Sequence, residues 1–466
     1  MSVLTTVSPI DAVADFTTPE ATQEQAQAAV AKANKAQKSW KKASLEDRIK
    51  IVTKAYEHLT SEPGVETLAK ELTQQMGRPI AYTKGEITTA AARAKFLISV
   101  APEALAPSRE GADGLVDGFK KYITHEPLGT VLIIFPWNYP YLCLTNALVP
   151  SLLAGNAVII KPSPQTPKVA DAFYKAFQEA GLPDGILQVL HSGDNSLISD
   201  VIANPGIHGV SFTGSVAGGL AVQKAAAGRT IPVALELGGN DAAYVRPDVD
   251  IDAVAEDIVD GCVFNSGQSC CSIERVYVHE DIYDQFEKAV VKVLSAYKVG
   301  DPLDKSTQLG PVVSVKSKEN VEAQIKDALA KGGKALIPEG TFVTEDKAFV
   351  APQILVGMSH DAEVLVEETF GPLVPLYKVK SDQEAIDLIN DSKYGLTSSV
   401  WTKDLVVGEA LGNEIEAGTV FVNRADYPDP ALAWTGWKNS GRGVSLSRFG
   451  FAGFTKLKSH HIKATN

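Results

Sequence analysis

The chain has 466 residues, enough for two or three domains of ordinary size. Lysine and arginine number 44 against 56 acids, and the net charge of −12 argues against a nucleic-acid or anionic-membrane surface, since both want a basic patch. With 45% hydrophobic and 21% charged residues, the composition supports a large core and excludes a mostly disordered chain. Four cysteines, at 143, 262, 270 and 271, are too few for a disulfide framework and fit a reducing compartment. Eight histidines without HExxH spacing give no reason to expect a metal. The first fifteen residues lack the basic start and apolar stretch of a secretory signal, and no apolar run approaches a membrane span. A soluble cytoplasmic protein is therefore expected.

The first hundred residues read as helices, with apolar positions at helical spacing over 21–39 and 45–59. The pattern then changes. Short apolar runs at 131–135, 157–160, 186–190, 209–212 and 233–236 read as strands. Residues 167–180 and 195–203, and a segment opening at Gly214 and Ser215, read as helices between them. Strand–helix alternation of this kind predicts a parallel sheet covered on both faces. A second such series begins near Asp248, with helices over 252–264, 282–297, 316–330 and 383–390 and strands over 275–278, 396–401 and 419–423. Residues 119–124 and 454–462 fit neither series. They read as strands that pair at an edge, either between subunits or on their own subunit.

Four segments carry chemistry. In Phe264-Asn-Ser-Gly-Gln-Ser-Cys-Cys271 a helix leads in, Gly267 breaks it and a thiol follows. A nucleophilic cysteine needs a closely approached backbone and amides that lower its pKa and hold an oxyanion. A buried cysteine after a helix is more often core, but of two adjacent cysteines one must point away from it. In Leu235-Glu-Leu-Gly-Gly-Asn240 a carboxylate ends an apolar strand, where α/β sheets place their chemistry. Burial there raises its pKa and makes Glu236 a general base; the plainer reading is a turn cap. In Pro136-Trp-Asn-Tyr-Pro140 the rigid loop offers the Asn138 amide as an oxyanion partner, or simply as a turn asparagine. In Phe212-Thr-Gly-Ser-Val-Ala-Gly-Gly219 a glycine-rich strand-to-helix turn can hold a phosphate on backbone amides, or be only a tight turn. Lys161, ending its strand, can meet a ribose or phosphate.

Together these segments resemble the aldehyde dehydrogenase superfamily, from about residue 25 to about 458. The likeness rests on PWNYP at 136–140, KPS at 161–163, FTGS at 212–215, ELGG at 236–239, GQ-x-C ending at Cys270, EETFGP at 367–372, YGL at 394–396, GTVFVN at 418–423 and K-x-SG at 438–441. It implies an α/β fold of two doubly wound parallel-sheet domains with a small extended oligomerisation arm. The cofactor-binding domain would span 1–108 and 128–237, the catalytic domain 238–440, and the arm and tail 109–127 and 441–466. It implies that Cys270 attacks an aldehyde, that Asn138 and the Cys270 amide hold the oxyanion, and that hydride passes to NAD or NADP, leaving a thioester. Glu236 would then activate water. Lys161 and the amides near Ser215 would hold the adenosine ribose and pyrophosphate, Glu368 the nicotinamide ribose, and Phe370 would pack beside the ring. Ile134, Pro136, Trp137, Ser163, Pro164, Gly193, Gly214 and Leu237 would line the same cofactor. The implied partners are a small-molecule aldehyde and further copies of the chain, in a homodimer or homotetramer.

Three positions depart from the pattern. Pro164 stands where many members carry an acid that binds the adenosine ribose, so no like charge is expected to face a 2′-phosphate and both cofactors should be usable. Ala147 and Ser445 stand where many members carry a lysine and a glutamate proposed to relay protons. Matching position also makes Tyr139, Leu142, Asn146, Ser269, Cys271, Tyr427 and Trp434 the substrate wall. Their apolar and aromatic character favours an aromatic or medium aliphatic aldehyde. Arg424 can bind the carboxylate of a semialdehyde of the succinate-semialdehyde type, but pairing with Asp426 of its own loop is the reading preferred. Two competing functions are transfer of the thioester to coenzyme A or phosphate and a catalytically silent binding protein of the same fold. Glu236, placed to activate water, speaks against the first, and Cys270, Glu236 and Asn138 together speak against the second.

Overall fold

The computed structural model describes residues 2–108, 118–342 and 347–464. Thr130–Phe135 and Ala157–Pro162 are buried at every position, as strands of a parallel sheet covered on both faces must be. They lie inside a six-stranded sheet with the order 441–442, 233–236, 209–213, 130–135, 157–162, 187–189. The chain runs outward from 130–135 to 187–189 and then returns to place 209–213 on the opposite side. This reversal opens a crevice beyond the carboxyl ends of 130–135 and 209–213, where doubly wound sheets take their ligands. Helices Gln23–Trp40, Leu45–Leu59, Pro140–Leu153 and Pro167–Glu179 bury their apolar stripes in one core with this sheet.

The second sheet has seven strands in the order 334–335, 353–356, 373–379, 273–279, 241–245, 397–401, 419–422. Only its first pair is antiparallel. Strand Asp241–Val245 shows the two-residue period of a sheet packed on both sides. Ala243 and Val245 join the core under helices Ile251–Val263 and Tyr283–Ser295, while Ala242 and Tyr244 join the core under helices Asp382–Asn390 and Leu405–Gly412. Phe119–Pro127 and Thr455–Lys463 pair with each other, antiparallel over their full length, so the tail lies on its own chain.

Three expectations are corrected. The chain does not begin with a helix: Val3–Val7 and Ala14–Pro19 form an antiparallel hairpin. Gly441–Arg442, assigned to the tail, instead lies antiparallel on Leu235 and Glu236 and closes the edge of the first sheet. Pro140, read as fixing a loop, also opens helix Pro140–Leu153, where its missing N–H costs nothing. Residues 109–117 of the expected arm lie outside the described residues. No helix of the described residues is long and apolar enough to cross a membrane.

Candidate active site

Helix Ile251–Val263 runs into a turn in which Asn265, Ser266 and Gly267 all adopt left-handed backbone, with φ of 55°, 56° and 72°. A Cβ on Gly267 would lie 2.1 Å from the Gly371 carbonyl oxygen, so glycine is required there for two separate reasons. The same close approach seats the cysteine loop on the 367–372 segment. Gln268 locks the turn: its Nε2 donates to the Asn265 carbonyl at 3.0 Å and its Oε1 accepts from the Val313 amide at 2.7 Å. Beyond it the two cysteines part. Cys271 is buried and donates its thiol to Asp426 Oδ1 at 2.9 Å, and Ser269 Oγ donates to the same oxygen at 2.8 Å. Cys270 is half-buried and faces a cavity. Cys262 is core.

One guanidinium ties this loop to the other walls. Arg78 is 2% exposed and stands just before helix Ile80–Ala104. Its Nη1 meets Glu86 Oε2 at 2.5 Å, its Nη2 donates to the Asn138 carbonyl at 2.5 Å, and its Nε donates to Asn265 Oδ1 at 3.0 Å. The group also lies over the Tyr139 ring, 4.0 Å from its centroid. Glu86 Oε1 accepts the Tyr141 amide at 2.9 Å, capping helix Pro140–Leu153. Asn138, held on this support, donates its Nδ2 to the Gln268 carbonyl at 3.2 Å. Neither Arg78 nor Glu86 carried a signal in the sequence, because Arg78's loop partners lie 60 and 187 positions away.

Glu236 ends strand Val233–Glu236 and faces the same cavity as Cys270. Desolvation raises its pKa; Ser445, Arg93 and Thr213 oppose the rise. The Thr213 hydroxyl reaches Glu236 Oε2 at 3.4 Å. Ser445 Oγ is buried and makes no close hydrogen bond, yet lies near enough for its dipole to favour the ionised carboxylate. The backbone just beyond Glu236 meets the cysteine loop, since a Cβ on Gly239 would come within 2.6 Å of the Cys270 carbonyl oxygen.

The cavity measures about 420 Å³. All eight substrate-wall candidates line it: Tyr139, Leu142, Asn146, Ser269, Cys271, Arg424, Tyr427 and Trp434. Arg424 does not pair with Asp426, as preferred from the sequence. Its guanidinium lies 3.7 Å from the Tyr427 ring centroid, because Asp426 has φ of 47° and turns its carboxylate inward to Ser269 and Cys271. Sequence reasoning missed Arg93, a cavity-lining cation only 6% exposed. It donates to Asn146 Oδ1 at 3.0 Å and to the Pro428 carbonyl at 3.2 Å, while its buried Nε has no partner. A helical arginine facing inward is spelled no differently from a solvated one.

The crevice of the first sheet fits an NAD(P) cofactor. Lys161, in register with Ile134, is 9% exposed and its ammonium makes no hydrogen bond among the described residues; burial lowers its pKa to about 8. Ser163 donates its amide to the Phe135 carbonyl at 3.0 Å, just before the half-buried Pro136. Gly214 leads into Ser215, which caps helix Val216–Ala226 by accepting the Gly218 amide at 3.2 Å, and Leu237 packs on that helix at Gly219. Such a start leaves amides free for a pyrophosphate. Glu368 Oε1 accepts the Gly239 amide at 3.0 Å, and burial with Glu274 nearby pushes its pKa up. Phe370 meets Trp137 edge to face, with centroids 5.6 Å apart. Pro164 itself offers no carboxylate at the Lys161 end, as its residue type dictates, and the N-terminal hairpin packs against it. The Pro164 carbonyl accepts the Thr6 hydroxyl at 2.7 Å, and the Gly193 amide donates to Glu20 Oε1 at 2.5 Å. The hairpin thus brings a carboxylate to that end.

A cysteine loop, a strand-end carboxylate and a dinucleotide crevice on paired parallel sheets define an aldehyde-oxidising class. The aldehyde dehydrogenase family model matches residues 2–460. An aldehyde dehydrogenase of Paenarthrobacter nicotinovorans is 35% identical over 98% of this chain and 99% of its own. The NADP(+) succinate-semialdehyde dehydrogenase of Deinococcus radiodurans is 33% identical over 92% of this chain and 89% of its own. The structure of succinic semialdehyde dehydrogenase from Streptococcus pyogenes with NADP+ superposes with a TM-score of 0.93 at 30% identity, covering 99% of this chain and all of that one. The chain belongs to the aldehyde dehydrogenase family.

Replacing Arg78 by methionine keeps the bulk but strands Glu86, the Asn138 carbonyl and Asn265. Breaking a buried pair on one side costs about 3–5 kcal/mol, so thermal unfolding should fall markedly and kcat should drop with it. Lysine should rescue only in part, since one ammonium cannot match three directed N–H bonds. An unchanged melting temperature for Arg78→Met would remove the arginine from this role.

Proposed function

We propose that the protein oxidises an aldehyde to its carboxylic acid with NAD+ or NADP+, with Cys270 as nucleophile and Glu236 as base. The observation that supports this most is that the half-buried Cys270 and the desolvated Glu236 open into one cavity, beside the crevice that holds Lys161, Ser215 and Glu368. In this reading the Cys270 thiol gives its proton to cavity water and its Sγ bonds to the aldehyde carbon as the carbonyl π bond opens onto oxygen. The oxygen that gains charge is met by Asn138 Nδ2, turned from the Gln268 carbonyl, and by the Cys270 amide. The bound cofactor supplies a hydride acceptor. A thioester remains on Cys270, Glu236 takes a proton from water, and the hydroxide displaces the sulfur to release the acid. With Ala147 and Ser445 at the relay positions, the proton leaves Glu236 through cavity water. Residues 1–108 and 128–237 serve as the cofactor domain in this reading and 238–440 as the catalytic domain, in a cytoplasmic homodimer or homotetramer.

Glu236→Gln tests the assignment. It should give a burst of about one equivalent of reduced cofactor per competent site and then stall. In the wild type, Glu236 must be ionised to act, and its pKa is raised. Turnover should therefore fall as pH drops through a value above the usual carboxylate range. A Glu236→Gln variant with wild-type steady-state rate would exclude the carboxylate as base.

The aromatic and apolar walls suit an aromatic or medium aliphatic aldehyde. A second reading, a semialdehyde with a remote carboxylate, is favoured by Arg93, a buried cation on the cavity wall with no carboxylate at ion-pair distance among the described residues. The names of two relatives point the same way. A charged hydrogen bond contributes about 1.5–3 kcal/mol. Arg93→Leu should therefore raise KM for succinate semialdehyde by about ten- to a hundredfold and leave a neutral aliphatic aldehyde within about threefold. Equal losses on both substrates would make Arg93 a wall support and favour the neutral aldehyde.

A further inference from the structure

The N-terminal hairpin is packed on the adenosine-ribose end of the crevice, a placement that no sequence motif announces. Thr6 Oγ1 donates to the Pro164 carbonyl at 2.7 Å, Gln165 Nε2 to the Val7 carbonyl at 3.0 Å, and the Ala21 amide to the His191 carbonyl at 2.9 Å. These bonds bring Glu20, the residue after strand Ala14–Pro19, against Gly193. The Gly193 amide holds Oε1 at 2.5 Å, and Oε2 makes no hydrogen bond among the described residues. Lys161 follows Ile160, whose carbonyl accepts the Leu190 amide just ahead of Gly193, and its ammonium is buried and likewise without a hydrogen bond among the described residues. The two are close enough for the Glu20 charge to raise the lysine's pKa, yet they form no ion pair. A donor and an acceptor held apart, each with unused capacity, match the two vicinal hydroxyls of a ribose.

We propose that Glu20 is a specificity-determining residue for the cofactor: its carboxylate accepts the adenosine 2′-hydroxyl of NAD+ and repels the 2′-phosphate of NADP+. It supplies from the hairpin the acid that Pro164 cannot. A phosphate monoester carries about −1.5 to −2 charges at neutral pH, so Lys161 attracts it while Glu20 opposes it. NADP+ is then accepted at reduced affinity. The inference rests on the reading of Lys161 as the ribose-binding lysine.

The test is calorimetric titration of NAD+ and of NADP+ into the full-length protein without aldehyde, for the wild type, Glu20→Gln, Thr6→Val and Lys161→Ala. Glutamine keeps an oxygen for the Gly193 amide and removes only the charge. Glu20→Gln should tighten NADP+ by about tenfold and weaken NAD+ by no more than about threefold, and the NADP+ gain should shrink at high salt. Thr6→Val loosens the same hairpin without altering charge and should leave the ratio of the two constants unchanged. A ratio shifted equally by Thr6→Val and Glu20→Gln would assign the effect to hairpin packing and overturn the proposal. If Glu20→Gln leaves the ratio unmoved while Lys161→Ala weakens NADP+, Glu20 is excluded and the crevice assignment stands. If Lys161→Ala changes neither constant, both fall.

Discussion

Arg78 is the point on which the candidate site depends. Its guanidinium binds three pieces of chain at once: the acid of helix Ile80–Ala104, the backbone of the 136–140 loop and the left-handed turn before Cys270. A buried cation is tolerable only when its charge and its donors are matched, and here Glu86, the Asn138 carbonyl, Asn265 and the Tyr139 ring do so together. The arrangement is specific because the fork is planar and its donors point in fixed directions. Asn138 is thereby aimed at the cysteine loop by a group that does not enter the cavity.

The remaining walls meet through backbone contacts that tolerate no side chain. Gly267 lies on the Gly371 carbonyl, and Gly239 lies on the Cys270 carbonyl while donating its amide to Glu368. The seam between the two sheets therefore joins the thiol, the strand-end carboxylate and the crevice within a few residues of one another. Burial sets their charge states. Glu236 and Glu368 are pushed up by desolvation, and Lys161 is pushed down. Both adjacent cysteines line the cavity, but Asp426 occupies the Cys271 thiol and Ser269, whereas Cys270 is half-buried and not bound to that carboxylate.

Elements written as continuous apolar runs were legible in the sequence. Val233–Glu236 and Asn195–Ala203 stand at the expected residues, because a short apolar run between turn residues and a helix opened by the Asp194 cap leave recognisable patterns. The hairpin Val3–Val7 and Ala14–Pro19 was not legible, because its strands are short and largely exposed. The motif residues around Cys270, Glu236 and Asn138 converge in space, and all eight wall candidates line the cavity. Arg78, Arg93 and Glu20 escaped notice, since what distinguishes them is the partner each meets after folding. Arg424 and Asp426 show the opposite error: nearness in sequence suggested a pair, and the positive φ at Asp426 separates them.

The central claim is that this geometry makes Cys270, and not its neighbour, the atom that carries the acyl group. The most direct measurement is mass spectrometry of Glu236→Gln after mixing with aldehyde and NAD(P)+, with digestion and fragmentation of the peptide that contains both cysteines. The account predicts an added acyl mass on Cys270, accumulating in step with reduced cofactor. Acylation of Cys271, or reduced cofactor without any adduct on Cys270, would contradict it.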